Sequence, residues 1–359
     1  MRRATLRGAE RTPLQADADV LICGASFAGL AAARELKGRR VLIVDRYEIG
    51  ERATSACAAP TPWLHAMGVQ GAIRQEIPCM AFHTPQGSAR FRLPWSWSSF
   101  DYRTLCHDLY AQSDARFEIA KVEGRTGNTV HTDRGDLTAP YVIDALGWKR
   151  VLGRTLVQPP DAPISRGLEV HPHGQSTDLD VWIDRSLVRY GYAWSVPADG
   201  EQRIGVGSYE PTHHVKEPTK DIAARLERDA VRYQGNWFPH KLRAAAEDGV
   251  FFCGDSAGHC IPLSGEGIRT AFYFGIAAAR EIETALDAGQ SREQALAAYR
   301  AFSARHAPAY ALALGLQRAI PRLPPPVLTR LLRLMGRERP CRTAFGWYLT
   351  LAHPNFANS

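Results

Sequence analysis

Two stretches of the chain combine an aspartate at a strand end with a glycine-framed helix start. Asp45 follows the apolar run Val41–Val44, and Asp255 follows the apolar run that begins at Phe251. A carboxylate in such a position accepts hydrogen bonds from ligand hydroxyls, and the free N–H groups of a helix N-terminus bind anions. This pairing predicts a site for a ligand that carries both sugar hydroxyls and phosphates.

The first stretch has the pattern of a strand-turn-helix-strand unit. Its glycines read Gly24-x-Ser26-x-x-Gly29, so a serine replaces the middle glycine of the dinucleotide fingerprint. We expect the pyrophosphate at the backbone N–H groups of Phe27 and Ala28, at the helix N-terminus. We expect ribose hydroxyls at Asp45, with Arg46 beside it. An acid at this position disfavours a 2′-phosphate, so FAD and NAD remain as candidates.

The second stretch, residues 251–275, decides between these cofactors by resemblance. It resembles the late motif of the flavoprotein superfamily with the para-hydroxybenzoate hydroxylase fold. The matching residues are Gly254, Asp255, Ala257, Gly258, Pro262, Gly265, Gly267 and Ile268. The resemblance implies FAD, with Asp255 on the ribityl chain and the helix start near Gly265 and Glu266 facing the flavin pyrimidine.

Further family positions occur between the two motifs. The resemblance assigns Arg103 to the FAD phosphates or ribose, and the backbone of Val122 to adenine. The segment in which many members read Ala-Asp-Gly has Leu146 for the aspartate and keeps Gly147. This departure argues against the use of NAD(P)H in the manner of the hydroxylases.

The chain most resembles the geranylgeranyl reductase branch of that superfamily. Cys57 takes the cysteine position of the branch's Arg-Cys-x-Gly loop, and residues 191–197 resemble its Tyr-x-Trp-x-Phe-Pro motif. The resemblance implies reduction of carbon–carbon double bonds by a flavin hydride. The proton donor is expected to be Cys57 or, since it lies in the flavin-facing loop, His259.

The remaining sequence predicts how these motifs are positioned. The fold class is α/β: a three-layer, Rossmann-like FAD-binding domain with a parallel sheet, an inserted antiparallel substrate sheet and a helical C-terminus. Residues 1–18 are predicted to form a disordered tail. The predicted FAD domain comprises residues 19–75, 100–160 and 245–305; the substrate domain comprises 76–99 and 161–244; the helical C-terminus is 306–359.

Aromatic residues in the predicted substrate domain indicate an apolar ligand. We expect Trp95, Trp97, Tyr192 and Trp194 to line the cavity, and an isoprenoid or lipid to occupy it. NAD(P)H or an electron-donor protein would act as the transient reductant. No metal site is predicted, because the seven cysteines are scattered and lack C-x-x-C spacing.

Other functions use the same fold. A flavin monooxygenase is the first alternative, and a halogenase is disfavoured because no lysine lies between Lys37 and Lys121. A different class is a flavin-binding regulator or a cyclase that uses FAD without redox chemistry. A cyclase requires acids at the substrate, and the central strands offer Asp178, Asp180 and Asp184.

The C-terminal part of the chain is strongly basic. Residues 316–345 contain leucines at helical spacing and seven arginines against one acid, Glu338. Such a helix either docks on an anionic membrane surface or packs on the FAD domain with solvated arginines. The net charge is +7, but we do not predict nucleic acid as a partner. We expect the protein in the cytoplasm, where it could also associate with a membrane surface.

Overall fold

The computed structural model describes residues 12–15, 17–53, 56–154 and 164–359. Most of the predicted tail, residues 1–11 and 16, lies outside these residues, as does 155–163. The rest of the tail prediction requires a correction. Leu14 is buried, and its N–H donates to the carbonyl of Arg134 at 2.9 Å, so residues 12–15 pack on the protein.

The described residues mix strands and helices as far as β17 and then continue in helices alone. The strands are β1 (Val20–Cys23), β2 (Val41–Asp45), β3 (Ala58–Pro60), β4 (Ile73–Thr84), β5 (Gly87–Phe100), β6 (Arg116–Ile119), β7 (Val122–Thr126), β8 (Thr129–Thr132), β9 (Gly135–Thr138), β10 (Tyr141–Asp144), β11 (Ile164–Val170), β12 (Leu179–Trp182), β13 (Gly191–Pro197), β14 (Gln202–Ser208), β15 (Gln234–Pro239), β16 (Ala246–Glu247) and β17 (Val250–Phe252). The helices are α1 (Phe27–Glu35), α2 (Thr61–Ala66), α3 (Tyr102–Ala111), α4 (Lys216–Arg225), α5 (Ile268–Ala288), α6 (Arg292–Ala304), α7 (Ala307–Ala319), α8 (Pro325–Met335) and α9 (Glu338–Thr350). Single 3-10 turns occupy Gln70–Ala72, Gly254–Ala257, Ile320–Arg322 and Pro354–Asn358.

The first sheet carries the cofactor motifs. Its order is β16-β17-β10-β1-β2-β6, and all its pairs are parallel except β16 with β17. One face packs on α1, α3 and α5, and the other is covered by the small sheet β7-β8-β9. Coverage on both faces explains why the central strands are continuous apolar runs. The three-layer arrangement predicted from the sequence is therefore confirmed.

The second sheet holds the strands predicted for the substrate region. Its order is β15-β11-β14-β13-β12-β4-β5-β3, and its pairs are antiparallel apart from β12 with β4. β4 and β5 form a hairpin, whose turn is residues 85–86. One face packs on α4, and the other packs on α8 and α9.

The packing of the C-terminal helices differs from one of the two sequence interpretations. In place of packing on the FAD domain, α8 and α9 pack on β4 and β5 of the second sheet. The final 3-10 turn returns to the FAD domain and packs on α2 and α5. The C-terminal segment thus bridges the two sheets.

Helices α1 and α5 approach each other at a glycine. A Cβ added to Gly275 of α5 would lie 2.4 Å from the carbonyl oxygen of Ala28, whereas a Cβ on Gly315 of α7 would meet no atom within 4 Å. We expect Gly275→Ala to lower the free energy of unfolding by about 3 kcal/mol, since backbone must move to accommodate the methyl group. The matched change Gly315→Ala should raise it by about 0.5–1 kcal/mol. Denaturant unfolding measures both, and equal effects would contradict the close approach.

Candidate functional site

The turn after β1 is built from two glycines in contact with backbone. Gly24 has φ +113°, and a Cβ there would lie 2.3 Å from the carbonyl oxygen of Ala145. A Cβ on Gly29 would lie 1.9 Å from the carbonyl oxygen of Gly24. Side chains at these positions would force α1 away from the strand ends. The glycines therefore place the N-terminus of α1 directly above the first sheet.

The N-terminus of α1 keeps its N–H groups available. Ser26 is the residue before the helix, and its side chain does not cap it. Instead the Ser26 hydroxyl accepts a hydrogen bond from Tyr102 Oη at 2.9 Å. The first-turn amides of a helix, here those of Phe27 and Ala28, have no partner within the helix. They can therefore bind a phosphate group, as the sequence predicts.

Asp45 closes the other side of this turn. Its Oδ2 accepts from the Ala25 N–H at 2.8 Å, and its Oδ1 accepts from the Tyr47 N–H at 3.0 Å. Burial raises the pKa of this carboxyl, and the backbone hydrogen bonds oppose that rise. Each carboxylate oxygen retains a second lone pair for a ribose hydroxyl. The neighbouring Arg46 is exposed and lies over the Tyr47 ring at 4.7 Å.

The other predicted FAD contacts from the first half of the chain lie around this sheet. Arg103 is an exposed residue in the first turn of α3, and its guanidinium has no hydrogen-bond partner among the described residues. Val122 is the buried first residue of β7. Gly147 follows β10, and its carbonyl accepts from Ser256 Oγ at 3.0 Å. That bond ties the loop after β10 to the second cofactor motif.

Asp255 is the acid of the second motif, and it has unused hydrogen-bonding capacity. Its carboxyl is half-buried, and no described residue donates to it. A Cβ added to Gly267 would lie 3.6 Å from Asp255 Oδ1, so the carboxyl faces the start of α5. Burial raises its pKa to about 6, against the opposing charge of Arg243. A half-buried carboxyl to which no described residue donates can accept a hydrogen bond from a ligand.

The loop before α5 is held by contacts with α7 and with the second sheet. Pro262 is buried, and its carbonyl accepts from Gln317 Nε2. Gly265 lies beside the Tyr192 hydroxyl, since a Cβ there would be 3.0 Å from that oxygen. Helix α5 begins at Ile268, with Gly267 as its N-cap. The helix thus starts three residues later than the predicted start near Gly265.

The Glu266 side chain points into the protein rather than toward a ligand. Its Oε1 accepts from Arg269 Nε at 2.7 Å, and its Oε2 accepts from the Tyr348 hydroxyl. The Arg269 guanidinium also donates to the carbonyls of Tyr348, Leu349 and Ala352 at 3.0–3.2 Å. The cofactor contact predicted for Glu266 can therefore involve its backbone but not its side chain. The carboxylate and Arg269 together hold the C-terminal end of α9.

His259 is enclosed in the protein core. The side chain is fully buried, stacks on Phe274 with 3.6 Å between ring centroids, and has Nε2 3.1 Å from Ser303 Oγ. Burial holds the pKa of this imidazole well below its ordinary value. His259 is therefore a neutral packing residue between α5 and α6, and the structure does not support the predicted catalytic role.

Cys57 lies at the junction of the two sheets. It is 3% exposed and packs in the core of the FAD domain, whereas its neighbours Ala56 and Ala58 pack on the second sheet. Its φ is +49°, a left-handed conformation that costs energy in a residue with a Cβ. Arg203 holds this conformation, because its guanidinium donates to the carbonyls of Ala56, Cys57 and Phe100 at 2.7–3.1 Å.

The four predicted wall aromatics belong to one apolar cluster on the second sheet, which we call the aromatic wall: Trp95, Trp97, Tyr192 and Trp194. Trp95 Nε1 donates to the Phe345 carbonyl at 3.1 Å, and Trp194 Nε1 donates to Glu169 Oε2 at 3.2 Å. Tyr192 Oη donates to the carbonyl of Ser264, which joins the wall to the loop before α5. Trp97 Nε1 is buried without a partner in the described residues.

Three residues of the site were not predicted from the sequence. Tyr102 donates a hydrogen bond to Ser26, and Arg203 donates to the carbonyl of Cys57. Arg269 donates to Glu266. One sequence signal was available for Arg203, because it is a charged residue within the small, apolar strand β14. Arg269 sits similarly in an apolar helix. A charge in a buried element requires partners, but the pattern does not say which.

The comparisons with known proteins agree with this geometry. No family model matches the chain. A digeranylgeranylglycerophospholipid reductase from Methanothrix thermoacetophila is 25% identical over 320 residues, which cover 78% of this chain and 81% of the relative. A geranylgeranyl bacteriochlorophyll reductase-like protein from Thermoplasma acidophilum superposes with a TM-score of 0.80 at 17% identity, over 95% of this chain and 98% of the other.

The chain is similar in sequence to a geranylgeranyl lipid reductase and shares the fold of FAD-dependent oxidoreductases. Other flavoproteins share its fold. PqsL from Pseudomonas aeruginosa, a probable FAD-dependent monooxygenase, superposes with a TM-score of 0.68 at 17% identity, over 90% of this chain and 99% of that one. The flavin-dependent brominase Bmp2 superposes with a TM-score of 0.64 at 15% identity, over 94% of this chain and 98% of that one.

The residues present fit FAD. Asp45 and the amides after Gly24 suit a ribose and a pyrophosphate, and the exposed Arg103 adds a cation near them. Asp255 supplies an acceptor that the described residues leave without a donor. The N-terminus of α5 carries a positive partial charge, which favours the anionic form of a reduced flavin.

Replacement of Asp255 tests the second half of the cofactor site. We expect Asp255→Asn to weaken FAD binding by about 10- to 100-fold, because a hydrogen bond to a charged group contributes about 1.5–3 kcal/mol. FAD favours the ionised carboxyl, so wild-type affinity should be full above pH 6 and fall as the pH drops through about 6. Flavin fluorescence titration of the apoenzyme measures both. Asp221→Asn on the exposed face of α4 is the control, and an unchanged pH profile in Asp255→Asn would contradict the assignment.

Replacement of Arg203 tests the support of the Cys57 loop. Arg203→Met removes a donor from the carbonyls of Ala56, Cys57 and Phe100, of which the Cys57 carbonyl keeps the Phe100 N–H at 2.9 Å. We expect the variant to cost about 3 kcal/mol or more in free energy of unfolding. Arg225→Met removes an exposed pair with Asp184 and should cost under about 1 kcal/mol. Chemical denaturation of the FAD-loaded enzyme compares them. A small effect at Arg203 would show that the loop holds its conformation without it.

Proposed function

We propose that this enzyme reduces carbon–carbon double bonds of an apolar substrate of the isoprenoid or lipid class. The observation that carries the proposal is the position of Cys57. It lies between the FAD-domain core and the second sheet, in a left-handed conformation held by Arg203. Strained residues that their surroundings hold in place are concentrated at functional sites.

The chemistry requires a hydride for one alkene carbon and a proton for the other. When bound, FAD would supply the hydride, and NAD(P)H or an electron-donor protein would restore it. The proton must come from a protein group or a water that the protein admits. We assign it to Cys57 Sγ, because His259 is enclosed between α5 and α6.

The aromatic wall supports an apolar substrate. Its cluster includes Ile77, Leu93, Val181 and Val196 besides the aromatics, and Phe345 from α9 closes it at Trp95. Most polar groups of this cluster already have a hydrogen-bond partner within the protein. A polar substrate would therefore find few groups with which to form hydrogen bonds. The relative from Methanothrix is named for a lipid substrate with geranylgeranyl chains, which agrees with this class.

A direct test uses a geranylgeranyl glycerophospholipid as the probe, with dithionite as the reductant. Product analysis by mass spectrometry should show a gain of two hydrogens for each reduced double bond. Incorporation of an oxygen atom under air would instead favour the monooxygenase alternative. Flavin that no reductant bleaches would favour the regulator or cyclase alternative.

Cys57→Ser tests the proton donor in the same assay. We expect it to retain FAD and to lose turnover by about 100-fold or more, in the range that general acid catalysis contributes. Cys106→Ser, in the buried face of α3, is the matched control and should retain most of the turnover. Full turnover in Cys57→Ser would reassign the residue to the wall of the site.

A further inference from the structure

Helix α8 has an apolar face that the described protein does not cover. Val327, Leu331, Leu334 and Met335 are 38–48% exposed, although large aliphatic side chains are usually buried. Their spacing of four, three and one residues places them on one face of the helix. Contiguous exposed apolar residues of this kind mark an interaction surface. We call these four residues the outer face of α8.

Cations without partners lie beside the outer face. Arg330 is on α8, and Arg337, Arg339 and Arg342 lie at the start of α9, the helix that packs beside it; all four are exposed. None of them forms a salt bridge or a side-chain hydrogen bond with another described residue. Glu338 is the one acid in residues 316–345. The surface therefore combines apolar side chains with uncompensated positive charge.

The adjoining side of α8 packs on the protein core. Leu328 is buried, Leu332 joins the cluster of the aromatic wall, and Thr329 Oγ1 lies 2.6 Å from Thr84 Oγ1 of β4. The helix is therefore anchored on the second sheet while its outer face points away from it. Its exposure is a property of the folded molecule and does not arise from a loose terminal segment.

We propose that the outer face of α8 docks in the interface of a bilayer that contains anionic phospholipids. The apolar side chains enter the headgroup and acyl boundary, and the flanking arginines pair with lipid phosphates. The described helices include none that is long and apolar enough to cross a membrane, so the contact is peripheral. This proposal does not depend on the reaction assigned above.

Charge favours a bilayer over a second copy of the chain. In a two-fold symmetric dimer the same surface meets itself. The four arginines would then face the same arginines of the partner, with Glu338 as the acid available to separate them. An anionic lipid surface supplies a counter-charge for each of them.

Vesicle flotation of the FAD-loaded full chain tests the docking. The wild type should float with vesicles of phosphatidylcholine and phosphatidylglycerol, bind pure phosphatidylcholine more weakly, and release as salt rises. The double variant L331S/L334S should bind the anionic vesicles about 10-fold or more weakly, because two apolar side chains lose their burial. R330Q/R337Q should reduce the preference for anionic vesicles and retain the weak binding to neutral ones.

Two control variants distinguish binding by the outer face from non-specific binding to vesicles. Y233S removes an exposed aromatic residue before β15, and K216Q removes a cation of α4; neither should change flotation. Retained FAD absorbance in every variant verifies folding. Absence of wild-type flotation would overturn the proposal, as would flotation that L331S/L334S leaves unchanged. A concentration-dependent dimer that the same variant abolishes, seen by light scattering without lipid, would assign the face to self-association instead.

Discussion

The contact between α1 and α5 at Ala28 is the constraint on which both halves of the cofactor site depend. The carbonyl of Ala28 lies where a Cβ on Gly275 would be, and the Ala28 methyl group faces Gly254 of the second motif. Ala28 also belongs to the first helical turn, whose amides are placed for a phosphate. One small residue therefore sets the distance between two motifs that are more than two hundred residues apart in the chain. A larger side chain at any of these positions would separate the two helix N-termini.

A second constraint links the flavin loop to the C-terminus. Arg269 is fully buried, and its charge is balanced by Glu266 and by three carbonyls at the end of α9. A buried cation without these partners would cost several kcal/mol, so the loop, α5 and α9 are held as a unit. Tyr348 of α9 adds a bond of 2.7 Å to Ser264 Oγ. The C-terminal helices are therefore part of the site and complete it from the side of the second sheet.

The sequence predicted the parts of this site that depend on backbone conformation. Gly24 and Gly29 can be recognised because close backbone approach excludes side chains, and Asp45 and Asp255 because strand ends converge at one edge of a parallel sheet. The fold class followed from these motifs and is confirmed. Side-chain direction could not be predicted in the same way. Glu266 and His259 lie in the motif, yet both turn into the protein, because their partners come from α6 and α9.

The same limitation applies to the C-terminus, where composition alone led to two incomplete interpretations. Leucines at helical spacing indicated an apolar stripe, and in α8 this stripe is broad: Leu328 and Leu332 pack toward the second sheet, whereas the adjoining outer face is exposed. A stripe of this width needs two apolar partners to cover it. The protein supplies one of them through β4 and β5. The described residues leave the outer face uncovered, and the arginines beside it favour the anionic partner that we propose.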